Sequence, residues 1–150
     1  MKRIFCLSLA VVLALGLFAC VRGFRLALYL PDQAAIDAGG YGFITKYVRV
    51  DDQNPARLVE LLVKHDVLPA GCALLSFEQD GMLWLDMNAA FAEALSQTGT
   101  LGETLLLGCL VNTFLTFYGR DGIVIKAEGK TLETGHEIYD YPLGFYLNEK

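Results

Sequence analysis

The chain has 150 residues, 54% of them hydrophobic, and a formal net charge of −5. That length suits one domain and excludes two of ordinary size. The acidic balance argues against nucleic acid and anionic membrane surfaces as partners, because both repel negative charge.

Lys2 and Arg3 open the chain, and the 17 residues from Ile4 to Cys20 carry no charge. A short basic region before an apolar run is the pattern of an export signal, whereas a spanning helix needs about 20 apolar residues. Leu17-Phe18-Ala19-Cys20 resembles a lipobox, with Phe18 bulkier than the usual small residue. Cleavage before a lipidated Cys20 is the preferred reading, and an uncleaved anchor is the alternative. Both place the remainder outside the cytoplasm. Loss of residues 1–19 takes the charge from −5 to −7 and leaves residues 20–25 as a short tether to one domain over 26–146. Acyl chains on Cys20 would then hold the chain to the membrane.

Phe24 to Leu30 reads as a strand closed by Pro31-Asp32, and Tyr41 to Val50 as a second strand antiparallel to it. Asn54-Pro55 starts a helix, since Asn caps well and Pro has no N–H to leave unsatisfied at the first position. Leu58, Leu61 and Leu62 form its apolar stripe. Arg57, Glu60 and Lys64 form its charged face, with Glu60 and Lys64 spaced for a pair, and His65 ends it as a cation favoured by the helix C-terminus. Residues 73–77 and 82–87 flank Glu78-Gln79-Asp80-Gly81, a hairpin signal. A short helix follows over 88–95. Thr100 and Glu103 have capping-box spacing at the start of a helix that runs to Tyr118 and stops at Gly119. Asp121-Gly122 leads into the strand 123–126, Gly129-Lys130 turns again, and an aromatic tail closes the chain. The order predicts an α+β two-layer domain with helices on a mostly antiparallel sheet.

The helix from Thr104 to Tyr118 has no charged residue. Leu106, Leu110, Phe114 and Phe117 can line one side, while Thr104, Gly108, Asn112 and Thr116 fall four apart as a stripe of small or neutral polar residues. A helix apolar nearly all round is buried on more than one side. Either the helix at 88–95 covers it, with Asn112 and Thr113 bonded to nearby backbone, or the small-residue stripe faces another protein.

Catalytic signatures are sparse. Of two histidines, His136 lies near Glu137 and Asp140 without zinc-ligand spacing, so no metal and no cofactor is expected. No Gly-x-Ser-x-Gly, Ser-x-x-Lys or phosphate-cradling loop occurs. Cys72 and Cys109 could pair in an exported chain, but their apolar neighbours favour two separate buried thiols over a disulfide or a nucleophile. Asp51-Asp52 reads as turn and helix-dipole complement. No catalytic residue is therefore assigned. Tyr139, Tyr141, Phe145 and Tyr146 either cover the sheet or form an exposed patch.

Several segments resemble the GerMN family of sporulation and spore germination. These are LYLPD at 28–32, RVDDQNPARLVELLV at 49–63, LPAG at 68–71, LDMNAAF at 85–91 after the Asp-Gly hairpin, GETLLLGCLVNTF at 102–114 and GKTLETGHEIYDYPL at 129–143. The resemblance spans almost all of the chain after Cys20. It implies an extracytoplasmic domain, often a lipoprotein, with a fold similar to ring-building motifs that stack side by side in envelope-spanning assemblies. The best-known member carries two copies, and this chain one. The expected function is thus a membrane-tethered, non-enzymatic interaction module of the cell envelope, with a protein partner or self-association through Thr104, Gly108, Asn112 and Thr116. The alternative is a cell-wall glycan-binding or hydrolytic domain that uses the aromatic tail with Glu137 and Asp140.

Overall fold

The computed structural model describes residues 23–148. The export segment and the first half of the tether, Cys20 included, lie outside the described residues. Strand β1 (Phe24–Pro31) pairs antiparallel with β2 (Phe43–Val50), with Leu26 opposite Val48 and Tyr29 opposite Thr45. Between them, where a turn is expected, the Asp32 carboxylate accepts from the Ala34 N–H and starts one helical turn, α1 (Gln33–Asp37). Helix α2 (Pro55–Lys64) begins as predicted, capped by Asn54 with Pro55 at the first position, and buries Leu58, Val59, Leu61 and Leu62. Glu60 meets Arg57 at 2.9 Å rather than Lys64. Both side chains are exposed, so the pair contributes little. His65 caps α2, and partial burial, then Lys46 and Lys64, hold its pKa below the usual imidazole value.

Strands β3 (Leu74–Asp80) and β4 (Met82–Met87) form the hairpin, which turns tightly at Gly81. Asn88 then bridges hairpin and helix: its side chain accepts from the Ala73 and Phe91 N–H groups and donates to the Gly71 carbonyl. Helix α3 (Ala89–Ser96) buries Phe91 and Leu95. The long helix α4 (Thr100–Tyr118) ends at Gly119, whose φ of 62° is left-handed and open to glycine without a Cβ penalty. Its start differs from the capping box: Gly99 is the cap, no side chain bonds there, and Thr100 is already helical. Glu103 cannot reach back because it points into the core.

The remaining strands are β5 (Ile123–Ala127), β6 (Lys130–Glu133) and β7 (Ile138–Tyr139). The fold is α+β, and its strands form two sheets: the β1–β2 ribbon and a five-stranded sheet in the order β3-β4-β5-β6-β7. Among the described strands only β4 and β5 pair in parallel, which follows from the long α3–α4 crossover joining them.

Helix α4 contacts both sheets. The Thr113 hydroxyl accepts from the Tyr29 N–H at 3.0 Å, closing the edge of β1 that β2 leaves free. Phe114 packs against Phe77 of β3 with ring centroids 6.1 Å apart. Every residue from Leu105 to Leu115 is buried. By length and composition α4 could cross a membrane, but here its charge-free surface is the centre of the core. Cys72 and Cys109 are buried and unpaired with each other, as the apolar surroundings predict.

Candidate interaction surface

The small-residue stripe of α4 faces the chain itself over its middle. Gly108 and Asn112 are buried, while Thr104 is half-buried and Thr116 exposed. The Phe43 ring lies where a Gly108 side chain would stand: a Cβ there would come 2.3 Å from Phe43 Cζ and 3.2 Å from Tyr146 Cβ. Asn112 clasps the tail, its amide donating to the Tyr146 carbonyl and its oxygen accepting from the Tyr146 N–H, both at 2.9 Å. Helix α3 packs on α4 as expected, but over Gly108 and Asn112 the cover is β2 and the tail, which lie far away in sequence. The stripe as a continuous open surface is therefore corrected, and only its ends remain accessible.

What the structure opens instead is the ribbon beside that stripe. Leu26 and Leu28 turn into the core, so Arg25, Tyr29, Thr45 and Tyr47 occupy the opposite face. The Arg25 guanidinium stacks 3.8 Å over the Tyr47 ring, and the Thr116 hydroxyl donates to the Tyr29 hydroxyl at 3.3 Å. Phe24 meets Phe117 edge to face. Phe24, Arg25, Tyr29, Tyr47, Thr116 and Phe117 line a cleft of about 310 Å³. At Tyr29 it adjoins a second cleft of about 540 Å³, lined by Phe43, Thr45, Asn112, Phe145 and Leu147. Tyr47 is 59% exposed and Leu147 76%, high values for large apolar side chains.

The ribbon also ends in an open strand edge. The Tyr29 N–H points to Thr113, so Tyr29 and Thr45 form a pair whose main-chain groups point away from the partner strand. By the same alternation the N–H and C=O groups of Thr45, Tyr47 and Arg49 point outward from β2. Phe43 is the exception, its N–H donating to the Asn148 side chain at 2.8 Å. Lys46, Arg49 and Arg25 give this edge positive charge on an acidic chain.

The aromatic tail divides. Tyr139 is buried and its hydroxyl donates to the Glu103 carboxylate, which also accepts from the Thr134 hydroxyl at 2.9 Å. Burial, then that bond, pushes the Tyr139 pKa well up. Tyr146 is packed on Asn112, and burial raises it to about 12. Tyr141 and Phe145 remain on the surface. Glu103, read from spacing as a cap, is the tie between α4 and the tail, and nothing in its local sequence signals that. Among the described residues no three His, Cys, Asp or Glu side chains meet in a way that could hold a metal. His136, Glu137 and Asp140 are no exception.

The family profile for sporulation and spore germination, Germane, matches residues 27–133. The chain belongs to this family. Among solved structures, the Germane chain is similar to the tandem GerMN domains of the sporulation protein GerM from Bacillus subtilis, at 17% identity and a TM-score of 0.64, over 85% of this chain and 48% of that one. It thus spans about half of that tandem structure. It also resembles the first GerMN domain of the same protein, at 16% identity and a TM-score of 0.54, over 84% and 96% of the two chains. A lipoprotein candidate from Clostridium perfringens matches at 17% identity and a TM-score of 0.47, over 83% and 89%. No curated protein matches significantly. At these identities the structural likeness speaks for the fold, a GerMN-type domain.

Proposed function

We propose that this Germane chain is a membrane-tethered, extracytoplasmic interaction module, and that the β1–β2 ribbon docks a protein partner. The observation that carries the reading is the outward main chain of Thr45, Tyr47 and Arg49, beside clefts lined by exposed aromatic side chains. An extended segment added to β2 would satisfy those groups and seat alternate side chains in the clefts. Arg25, Lys46 and Arg49 favour an acidic segment. Two β2 edges facing each other would bring these cations together, so a different acidic strand fits better than self-pairing of the ribbon. Of the small-residue stripe, Thr116 belongs to this surface, while Gly108 and Asn112 shape it from beneath, and Thr104 stands apart. The chemistry of the site is association, not catalysis. A role in sporulation or germination accords with the family. The tether rests on Lys2, Arg3, the apolar run and the lipobox-like Leu17–Cys20.

The test is photocrosslinking in cells from a reactive residue at position 47, with intact mass of the chain recovered from membranes. A diacylated Cys20 terminus and a discrete adduct lost on Thr45→Pro are expected. Proline suits this edge because the Thr45 N–H is not used within the ribbon. No adduct, or an adduct indifferent to Thr45→Pro, would refute docking on β2. An uncut, unmodified terminus would refute the lipid anchor.

A further inference from the structure

The outer face of the five-stranded sheet holds the chain's sole tryptophan. Leu83 and Leu85 are buried, so the period of two in β4 turns Trp84 outward, where it is 38% exposed. Its cross-strand neighbours are Glu78 on β3 and Val124 on β5. One step along the same face, Asp86 stands between Ser76 and Lys126. Both Asp86 oxygens accept from the Gly129 N–H, at 2.8 and 3.0 Å, which fixes the carboxylate against the β5–β6 turn. Among the described residues Lys126 has no ion pair. Ser76, Glu78, Trp84, Asp86, Lys126 and Gly129 together border a hollow of about 220 Å³.

We propose that this hollow binds a saccharide, with one pyranose ring stacked on Trp84. The face of an indole is the negative side of its quadrupole, and the C–H groups on one face of a sugar ring are weakly positive. The ring hydroxyls both donate and accept. The hollow offers both kinds of partner on its sides: Lys126 donates, Glu78 and Asp86 accept, and Ser76 does either. An apolar protein side chain seated on the same indole would strip water from three charged groups and return no hydrogen bond. The volume lies below the roughly 300–1,000 Å³ of pockets for drug-sized ligands, which suits a single ring of a longer chain. The site is independent of the ribbon, on other strands and with other residues. Its sequence signal is the Leu-Trp-Leu alternation in an otherwise ordinary strand.

Because Trp84 is the only tryptophan, its emission reports the site directly. The full chain, held in a detergent without a sugar headgroup, is titrated with tetra-N-acetylchitotetraose and with cellotetraose. A saturable change with at least one of them is expected, with an affinity reduced about tenfold or more by Lys126→Met and by Glu78→Ala, each removing a charged hydrogen-bond partner. Calorimetry on Trp84→Ala should then show no binding. Absence of a saturable change with both sugars overturns the proposal, as does binding that both exposed-residue variants leave unaltered. An emission shift that follows protein concentration and not sugar also overturns it, by assigning the face to a protein contact.

Discussion

Gly108→Ala sets two physical effects against each other at one atom. Alanine in a helix interior is favoured over glycine by about 1 kcal/mol, so propensity alone predicts a more stable protein. The tertiary structure predicts the reverse. The new methyl would stand 2.3 Å from Phe43 Cζ and 2.6 Å from Phe43 Cε1, while non-bonded carbons prefer about 3.5–4.0 Å. The ring must retreat by more than about 1 Å, and Phe43 is itself buried against Tyr41 and the tail. Overpacking of this kind costs about 1–3 kcal/mol, so the net change is a loss of about 1 kcal/mol, or a Tm lower by about 4 °C. Thermal unfolding followed by circular dichroism measures it. The same substitution in a Phe43→Leu background has no ring to displace, so there Gly108→Ala should become stabilising. A positive coupling of about 1–2 kcal/mol in that cycle is the signature of contact. If Gly108→Ala alone stabilises the wild-type chain by about 1 kcal/mol, Phe43 is not seated on Gly108 and the account of the covered stripe is wrong.

Asn112→Ala should cost about 1–3 kcal/mol, since it leaves the Tyr146 N–H and C=O without the partners that clasp them. Amide exchange should rise sharply over 143–148 while α4 stays protected, and unchanged exchange in the tail would contradict the clasp. Burial pushes the Cys109 thiol up to about 12 and raises Cys72 as well. Both should therefore resist iodoacetamide at pH 8 in the native chain and react on unfolding, as read by peptide mapping. Rapid native labelling of Cys109 would mean that α4 is exposed.

Several elements were legible because local chemistry forces them. Asn54-Pro55 can only begin a helix well, Gly119 can end one without strain, and Asp80-Gly81 between apolar runs turns a hairpin. The charge-free run after Glu103 likewise pointed to a helix covered on more than one side, because it carries no charged face. Which elements bury it was a different matter. Glu103 satisfies the spacing of a cap, yet its carboxylate meets Tyr139 and Thr134, more than 30 residues away. The stripe through Gly108 and Asn112 has the composition of an interface, and composition is the same whether the partner is another protein or the chain's own Phe43 and Tyr146. The strands divide into two sheets, and the free edge of β1 meets Thr113 of α4 instead of another strand.

The sequence by itself determined the main strands and helices, the Asn54 cap, the Gly119 stop and the α+β class, since these follow from periodicity and local backbone preference. Only the tertiary structure decided that β2 and the tail cover the Gly108–Asn112 stripe, that the ribbon keeps an open edge, and that Trp84 stands among charged neighbours. Those outcomes depend on contacts between residues distant in the chain, and no local pattern encodes which distant residue arrives.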